Sequence, residues 1–297
     1  MIANCGRKGK QIESMWLTFS QYVILYIRNI RMRFVFANKE VLPLHQPTER
    51  VLGVLKLITD SGGGKRLADF SRELGIPKST LLPILLTLCK RRYLYQDDSG
   101  KYYADTALFT LGTTFAGCFP VLGYVQKELD DLVEKLGETC YFGVLQDGMV
   151  LYLDKVESPH PLRMLTSAGR QLPAYATGNG KALLAGKSRQ ELEEMYPGGL
   201  VPLTEFTVTD FGELEKQTRA ILKDGYAWEV EESTRHIRCF AVPIRKHGKV
   251  IAAISVAIPL FRYEEASKEQ IIQILQATAA QVGRTIEQTD AHFGDIF

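Results

Sequence analysis

From Pro47 onward the chain falls into regular alternations of apolar and polar positions. In "PTERVLGVLKLITD" the apolar residues at 51, 52, 54, 55, 57 and 58 recur at helical spacing. They predict a helix with one wide apolar face, ended by Gly62-Gly63-Gly64. "LADFSRELG" predicts a second, short helix closed by Gly75. "GIPKSTLLPILLTL" predicts a third, running to about Arg92, with Leu81, Ile84, Leu85 and Leu88 on its core face. Pro83 lies inside this third helix, where a proline removes a backbone donor and crowds the turn before it. With Ser79 as the N-cap, Pro83 falls in the first turn or just past it, where few intrahelical donors are lost. A start at Pro77 would instead predict a kink. "YLYQDDSGKYYAD" then alternates about Asp98-Ser99-Gly100, a hairpin signal. Three short helices and a hairpin, with a short glycine-containing turn between helices two and three, is the layout of a winged helix-turn-helix.

Residues Thr106 to about Gly137 predict a linking helix broken near Gly117 to Pro120. "TCYFGVLQ" and "MVLYLDKVE" flank Asp147-Gly148, a two-residue hairpin turn. "LRMLTSAG" reads as a further strand, and "TGNGKALLAG" as a helix opening from a glycine-rich turn. "SRQELEEMYP" continues as a helix, and "GELEKQTRAILKDG" is an amphipathic helix that stops at Gly225. "YAWEVEE" and the hairpin "RCFAVPIRKHGKVIAAISVAIP" are strands, and "KEQIIQILQATAAQVGRTIEQ" is a long terminal helix. Hairpins separated by helices imply an α+β domain with a mostly antiparallel sheet. The expected division is an extension over 1–45, a winged helix over 46–105, a linker helix over 106–120 and a second domain over 121–290.

Charge sharpens this division. Residues 1–45 carry seven Lys/Arg against two acids, residues 46–105 ten against seven, and residues 106–297 nineteen against twenty-five. A basic front and an acidic rear point to nucleic-acid contact by the front. The five cysteines are scattered and form no CxxC pair. That pattern excludes a disulfide framework, gives no zinc-ligand spacing and fits a reducing cytoplasm. "SMWLTFSQYVILYI" near the start is short for a membrane span, and arginines follow it where a signal peptide would have a cleavage site. Two readings stand for this stretch: an extension that is non-native or disordered, with Met32 as the start, or a membrane-surface anchor. Stable membrane insertion is not expected.

The candidate chemistry lies in two places. Lys78, Ser79, Thr80 and Leu82 open the third helix, where free N–H groups and the positive helix end favour phosphate and where side chains reach base edges. Arg91, with Lys90 and Arg92 at the closing end of that helix, and Lys101 on the returning strand of the wing extend the candidate DNA-binding set. In the second domain, Gly178-Asn179-Gly180 opens a helix whose N–H groups suit a carboxylate, and Cys239 and Ser255 add polar groups to an apolar cleft. Tight glycine packing without a ligand is the competing account of that turn. "GNGK" lacks the P-loop spacing. Glu229, Glu231 and Glu232 form an acidic cluster, with at least two expected to lie at a solvated strand end. A small-molecule enzyme using Cys239 and Glu229 is the rival reading. Against it, His236 falls on the opposite face from Cys239 by strand alternation.

From Thr48 to about Glu287 the sequence resembles the IclR-type transcriptional regulators. The residues that carry the resemblance are "ERVLGVLKLI", "LADFSRELGIPKSTLLPILLTL", "LPAYATGNGKALLA" and "GYAWEVEESTRHIRCFAVPI" followed by "VIAAISVAIP". The resemblance implies a winged helix that binds double-stranded promoter DNA as a homodimer or homotetramer. It also implies a GAF-like domain that binds a small organic acid or an aromatic metabolite, with no cofactor and no metal. By position, the family's effector pocket falls on Met164, Thr177, Gly178, Asn179, Gly180, Glu229, Ile237, Cys239 and Ser255. Three departures stand out: Glu229 where Asp is commoner, Ala257 in place of a second serine, and Pro83 in place of a common arginine of the reading helix.

Overall fold

The computed structural model describes residues 44–61, 63–161 and 168–289. The extension and the strand expected at 162–169 fall largely outside them. The first group of elements is α1 (Gln46–Ser61), β1 (Lys65–Arg66), α2 (Leu67–Leu74), α3 (Lys78–Lys90), β2 (Leu94–Gln96) and β3 (Lys101–Ala104). The three strands form an antiparallel sheet in the order β1-β3-β2. Val54, Ile58, Phe70, Leu81, Leu85, Leu88, Leu94 and Tyr102 are buried, so each helix turns its periodic apolar face inward. Helix α2 starts where the Asp69 carboxylate accepts the Arg66 N–H at 3.0 Å and stops at Gly75 in the left-handed conformation, φ 64°. The turn from α2 to α3 is Gly75-Ile76-Pro77, tied down by a 2.8 Å bond from the Ser71 hydroxyl to the Ile76 carbonyl.

Helix α3 begins two residues earlier than Ser79 as N-cap would place it, at the alternative start. Its N-cap is Pro77, whose carbonyl accepts the N–H groups of Thr80 at 3.0 Å and Leu81 at 3.1 Å. The fixed φ of proline, here −57°, presets that entry, so the cap needs no serine hydroxyl. Pro83 is therefore an interior residue of one uninterrupted helix. It removes the bond that the Ser79 carbonyl would accept, on an exposed face where that carbonyl is open to solvent. The Thr87 hydroxyl donates to the Pro83 carbonyl at 2.7 Å, folding its polar atom back onto the helix.

Helices α4 (Thr106–Gly117) and α5 (Val121–Leu136) follow, with a 91° bend at the break. Among the described residues no single helix is long and apolar enough to cross a membrane. A six-stranded antiparallel sheet comes next, in the order β6-β5-β4-β9-β8-β7. Its strands are β4 (Thr139–Gln146), β5 (Met149–Val156), β6 (Gln171–Pro173), β7 (Ala227–Val230), β8 (Ile237–Lys246) and β9 (Lys249–Pro259). The hairpin turns Asp147-Gly148 and His247-Gly248 have positive φ at both residues, which matches the twist of the strands they join. Helices α5 and α9 (Lys268–Thr289) pack against one face. Helices α6 (Gly178–Leu183), α7 (Arg189–Met195) and α8 (Phe211–Asp224) belong to the other side.

Strand alternation sorts side chains by size. Toward α5 and α9 point Phe240, Val242, Ile254 and Val256; toward α6 point Cys239, Ala241, Ala253, Ser255 and Ala257. The small face lets α6 lie against the sheet by its backbone. A Cβ at Gly178 would come within 2.9 Å of the Cys239 Cβ, and one at Gly180 within 2.2 Å of the Ala174 carbonyl oxygen. Only glycine fits at either place.

Candidate functional site

On α3 the solvent stripe runs opposite Leu81, Leu85 and Leu88. It carries Ser79, Leu82, Pro83, Leu86 and Lys90, all exposed, with Lys78 beside its start. Thr80 is half-buried, Arg91 is exposed just past the helix, and Lys101 is half-buried on β3. The wing is held by Asp97, whose carboxylate accepts the Lys101 N–H at 2.8 Å, the Ser99 hydroxyl at 2.9 Å and the Tyr103 hydroxyl at 3.2 Å. These bonds, the Lys101 N–H bond foremost, hold the Asp97 carboxyl below the usual carboxylate range. Tyr95 and Tyr103 stack across the wing with ring centroids 5.1 Å apart. The result is a helix face and a stiffened hairpin, both edged by cations.

In the larger sheet, the residues singled out from the sequence converge. Asn179 on α6 donates to the Ser255 hydroxyl at 3.1 Å and to the Ala253 carbonyl at 3.3 Å, while its own carbonyl oxygen is buried with no hydrogen-bond partner. Glu229 on β7 sits opposite Cys239 on β8. Ile237 is buried in the same cluster. Thr177 caps α6 by accepting the Gly180 N–H at 2.9 Å. Met164 lies outside the described residues.

The acidic cluster is not solvated as the sequence suggests. Glu229 is fully buried and Glu232 nearly so. The chain reverses after β7 through Glu231 at φ 59°, and the Glu232 N–H returns to the Glu229 carboxylate at 2.8 Å. The Glu232 carboxylate pairs with Lys181 of α6, itself buried, and accepts the Val208 N–H at 3.2 Å. Lys181 and Glu232 are the residues that local pattern could not reveal. They stand 51 positions apart, and a lysine inside "GNGKALL" looks like any helix lysine.

This cluster holds two carboxylates and one ammonium. Burial, opposed by bonds from the Glu232 N–H and the Cys239 thiol, raises the Glu229 carboxyl to about 7. Burial, together with the neighbouring Glu229, pushes the Cys239 thiol well above its ordinary value. A catalytic thiolate needs the opposite shift. His236 lies outside the strand with its side chain exposed, held by Glu231, so it does not serve Cys239 as a base. Among the described residues no group of three or more His, Cys, Asp or Glu is placed to hold a metal ion.

Residues 47–98 match the family description "IclR helix-turn-helix domain", and residues 118–284 match "Bacterial transcriptional regulator IclR C-terminal". The HTH-type transcriptional regulator XynR of Escherichia coli K12 is 29% identical over 250 residues, covering 82% of this chain and 98% of the relative. The transcriptional repressor IclR of the same organism is 30% identical over 222 residues, covering 73% of this chain and 81% of the relative. The crystal structure of an IclR transcriptional regulator from Alicyclobacillus acidocaldarius superposes with a TM-score of 0.72 at 25% identity, covering 81% of this chain and 98% of that one. A winged helix with a cationic edge, a sheet domain with a buried polar cluster and these matches lead to one conclusion: the chain belongs to the IclR family of DNA-binding, effector-responsive transcriptional regulators.

Proposed function

We propose that residues 46–105 hold promoter DNA, that 106–120 link the two parts, and that 121–290 sense a small organic acid or aromatic metabolite. Lys78, Ser79, Thr80, Leu82, Arg91 and Lys101 form the DNA contact. The effector lies among Met164, Gly178, Asn179, Glu229, Ile237, Cys239 and Ser255. The observation that carries the sensor reading is the grouping of Glu229, Asn179 and Ser255 inside a small-residue face of the sheet. Packing alone would fill that space with hydrocarbon, because unpaired polar groups are costly to bury. Gly178 is required for the close approach of α6 to Cys239, and Gly180 for its approach to the Ala174 backbone, so polar contacts to an effector come from the side chains around them.

The regulator acts as a homo-oligomer in the cytoplasm. None of the residues of α4 is buried, and Phe109, 75% exposed, and Leu111 stand on it facing solvent. An uncharged apolar helix of this kind suits self-complementary pairing about a two-fold axis. Free thiols at Cys89, Cys118, Cys140 and Cys239 and a DNA target favour the cytoplasm. The effector shifts the population of paired winged-helix arrangements in proportion to its differential affinity for them.

The test is fluorescence anisotropy on the DNA upstream of the protein's own gene, with a panel of short organic acids and hydroxylated aromatic acids. One class is expected to change DNA affinity in the parent protein. Ser255→Ala is expected to weaken that response and leave effector-free DNA binding as it was. An unchanged response in Ser255→Ala and in Glu229→Gln would place the effector elsewhere.

A further inference from the structure

The reading face of α3 has an unusual distribution of chemistry. Between Lys78 and Lys90 the helix carries no charge. Its outward stripe is apolar in the middle, with Leu82 40% and Leu86 55% exposed and Pro83 between them. Thr87, beside the stripe, donates its hydroxyl to the Pro83 carbonyl. Ser79 is thus the hydroxyl on the stripe with no such tie to the helix. Between Lys78 and Lys90 no arginine, lysine, asparagine or glutamine stands on the stripe to make the bidentate bonds that distinguish guanine or adenine.

The ends of this face are cationic, with Lys78 at the start and Lys90 and Arg91 at the finish, and Lys101 on the wing. Cationic ends flanking an apolar centre match a major groove, where phosphates line the rims. In the groove floor, thymine presents the one apolar group, its 5-methyl. An apolar protein partner would not need the cations at the ends. From Ser79 to Leu86 the helix advances about 10 Å, at about 1.5 Å per residue, which spans about three base pairs at about 3.4 Å each.

We propose that Leu82, Pro83 and Leu86 read the operator through the 5-methyl groups of thymines within a step of about three base pairs, Lys78, Lys90, Arg91 and Lys101 fixing the register on the phosphates. This deepens the DNA-binding reading and rests on it. Leu82, Pro83 and Leu86 act as specificity-determining residues, and the phosphate contacts supply affinity without sequence.

The full-length protein is used to enrich duplexes from a randomised pool, and the enriched duplex is then resynthesised with deoxyuridine in place of thymidine. Each half-site is expected to contain thymine within the step. Each methyl lost from that step should weaken binding about fourfold, the worth of one apolar carbon taken from water. In Leu82→Ala/Leu86→Ala, two exposed positions away from the core, the difference between thymidine and deoxyuridine duplexes should shrink to what Pro83 alone supplies. Equal binding of both duplexes by the parent protein overturns the proposal, as does an undiminished difference in the double variant or an enriched site without thymine. Enrichment of no duplex at all overturns the DNA-binding reading with it, so the two failures are distinguishable. The deoxyuridine comparison needs no variant and stands even where the double variant misfolds.

Discussion

Replacing Glu229 by Gln should change how stability depends on pH, and the direction follows from the site. Burial raises this carboxyl from an ordinary 4.5 to about 7, so the folded protein holds a proton that the unfolded chain has already released. The folded state binds more protons between those limits, and stability therefore falls as pH rises. The contribution is fully present below about 4.5 and is lost as pH climbs through about 7. At about 1.4 kcal/mol for each pH unit, the interval is worth about 3 kcal/mol. Glutamine keeps the shape and never ionises, so it lacks this loss. Urea or thermal unfolding of both proteins from pH 5 to pH 8 isolates the effect, because every other titrating group cancels in the difference. At pH 5 the two should be close. By pH 8 the variant should be the more stable by up to about 3 kcal/mol, or about 6–12 °C in midpoint for a domain of this size. A constant difference across the range would refute the argument, since it would mean that Glu229 carries its charge without cost.

Pro83→Ala should stabilise the winged helix by about 1–3 kcal/mol, because the proline stands inside α3 and alanine restores a donor; unfolding of the full chain in urea checks this, and an unchanged midpoint would mean the helix has already adjusted to the missing bond. Lys181→Ala should destabilise by about 3–5 kcal/mol, since it leaves Glu232 buried without its partner beside Glu229. Adding Glu232→Gln should recover much of that loss, and failure to recover would show that packing rather than charge holds Lys181. Phe109→Ser should lower the oligomeric mass in sedimentation without lowering the unfolding midpoint, because the ring is exposed in the single chain. An unchanged mass would remove α4 from the interface.

Periodicity made most elements legible. Helix α1, the wing, both two-residue hairpins and the long α9 follow from apolar spacing and from glycine at positive φ, because these signals are local. The start of α3 is ambiguous in the sequence, because Ser79 is a preferred capping residue and Pro77 is not, yet the preset φ of Pro77 and its carbonyl provide the cap. Strand β6 was missed because it has three residues and ends in proline at the sheet edge, too short for any alternation to register. The buried state of Glu229 and Glu232 was not legible at all. It depends on Lys181, whose ammonium arrives from another element, and three glutamates in four positions look alike until that cation is placed. Asn179 is legible through the glycine-rich turn that opens its helix, and Cys239 and Ser255 through the resemblance to the family's pocket, with the apolar strands around them making their polar atoms stand out.

The sorting of β8 and β9 by size also limits how the sheet can misassemble. A slip of one residue in their pairing with the rest of the sheet would turn Phe240, Val242, Ile254 and Val256 toward α6 and the alanines toward α9. The α6 side already brings Gly178 so close to β8 that an added Cβ would stand 2.9 Å from the Cys239 Cβ, so the slipped state would be sterically blocked on one side and hollow on the other. Both cores would reject the error at once. Mispaired states would then lie far above the native one in energy, and a refolding chain should meet few long-lived traps at this step.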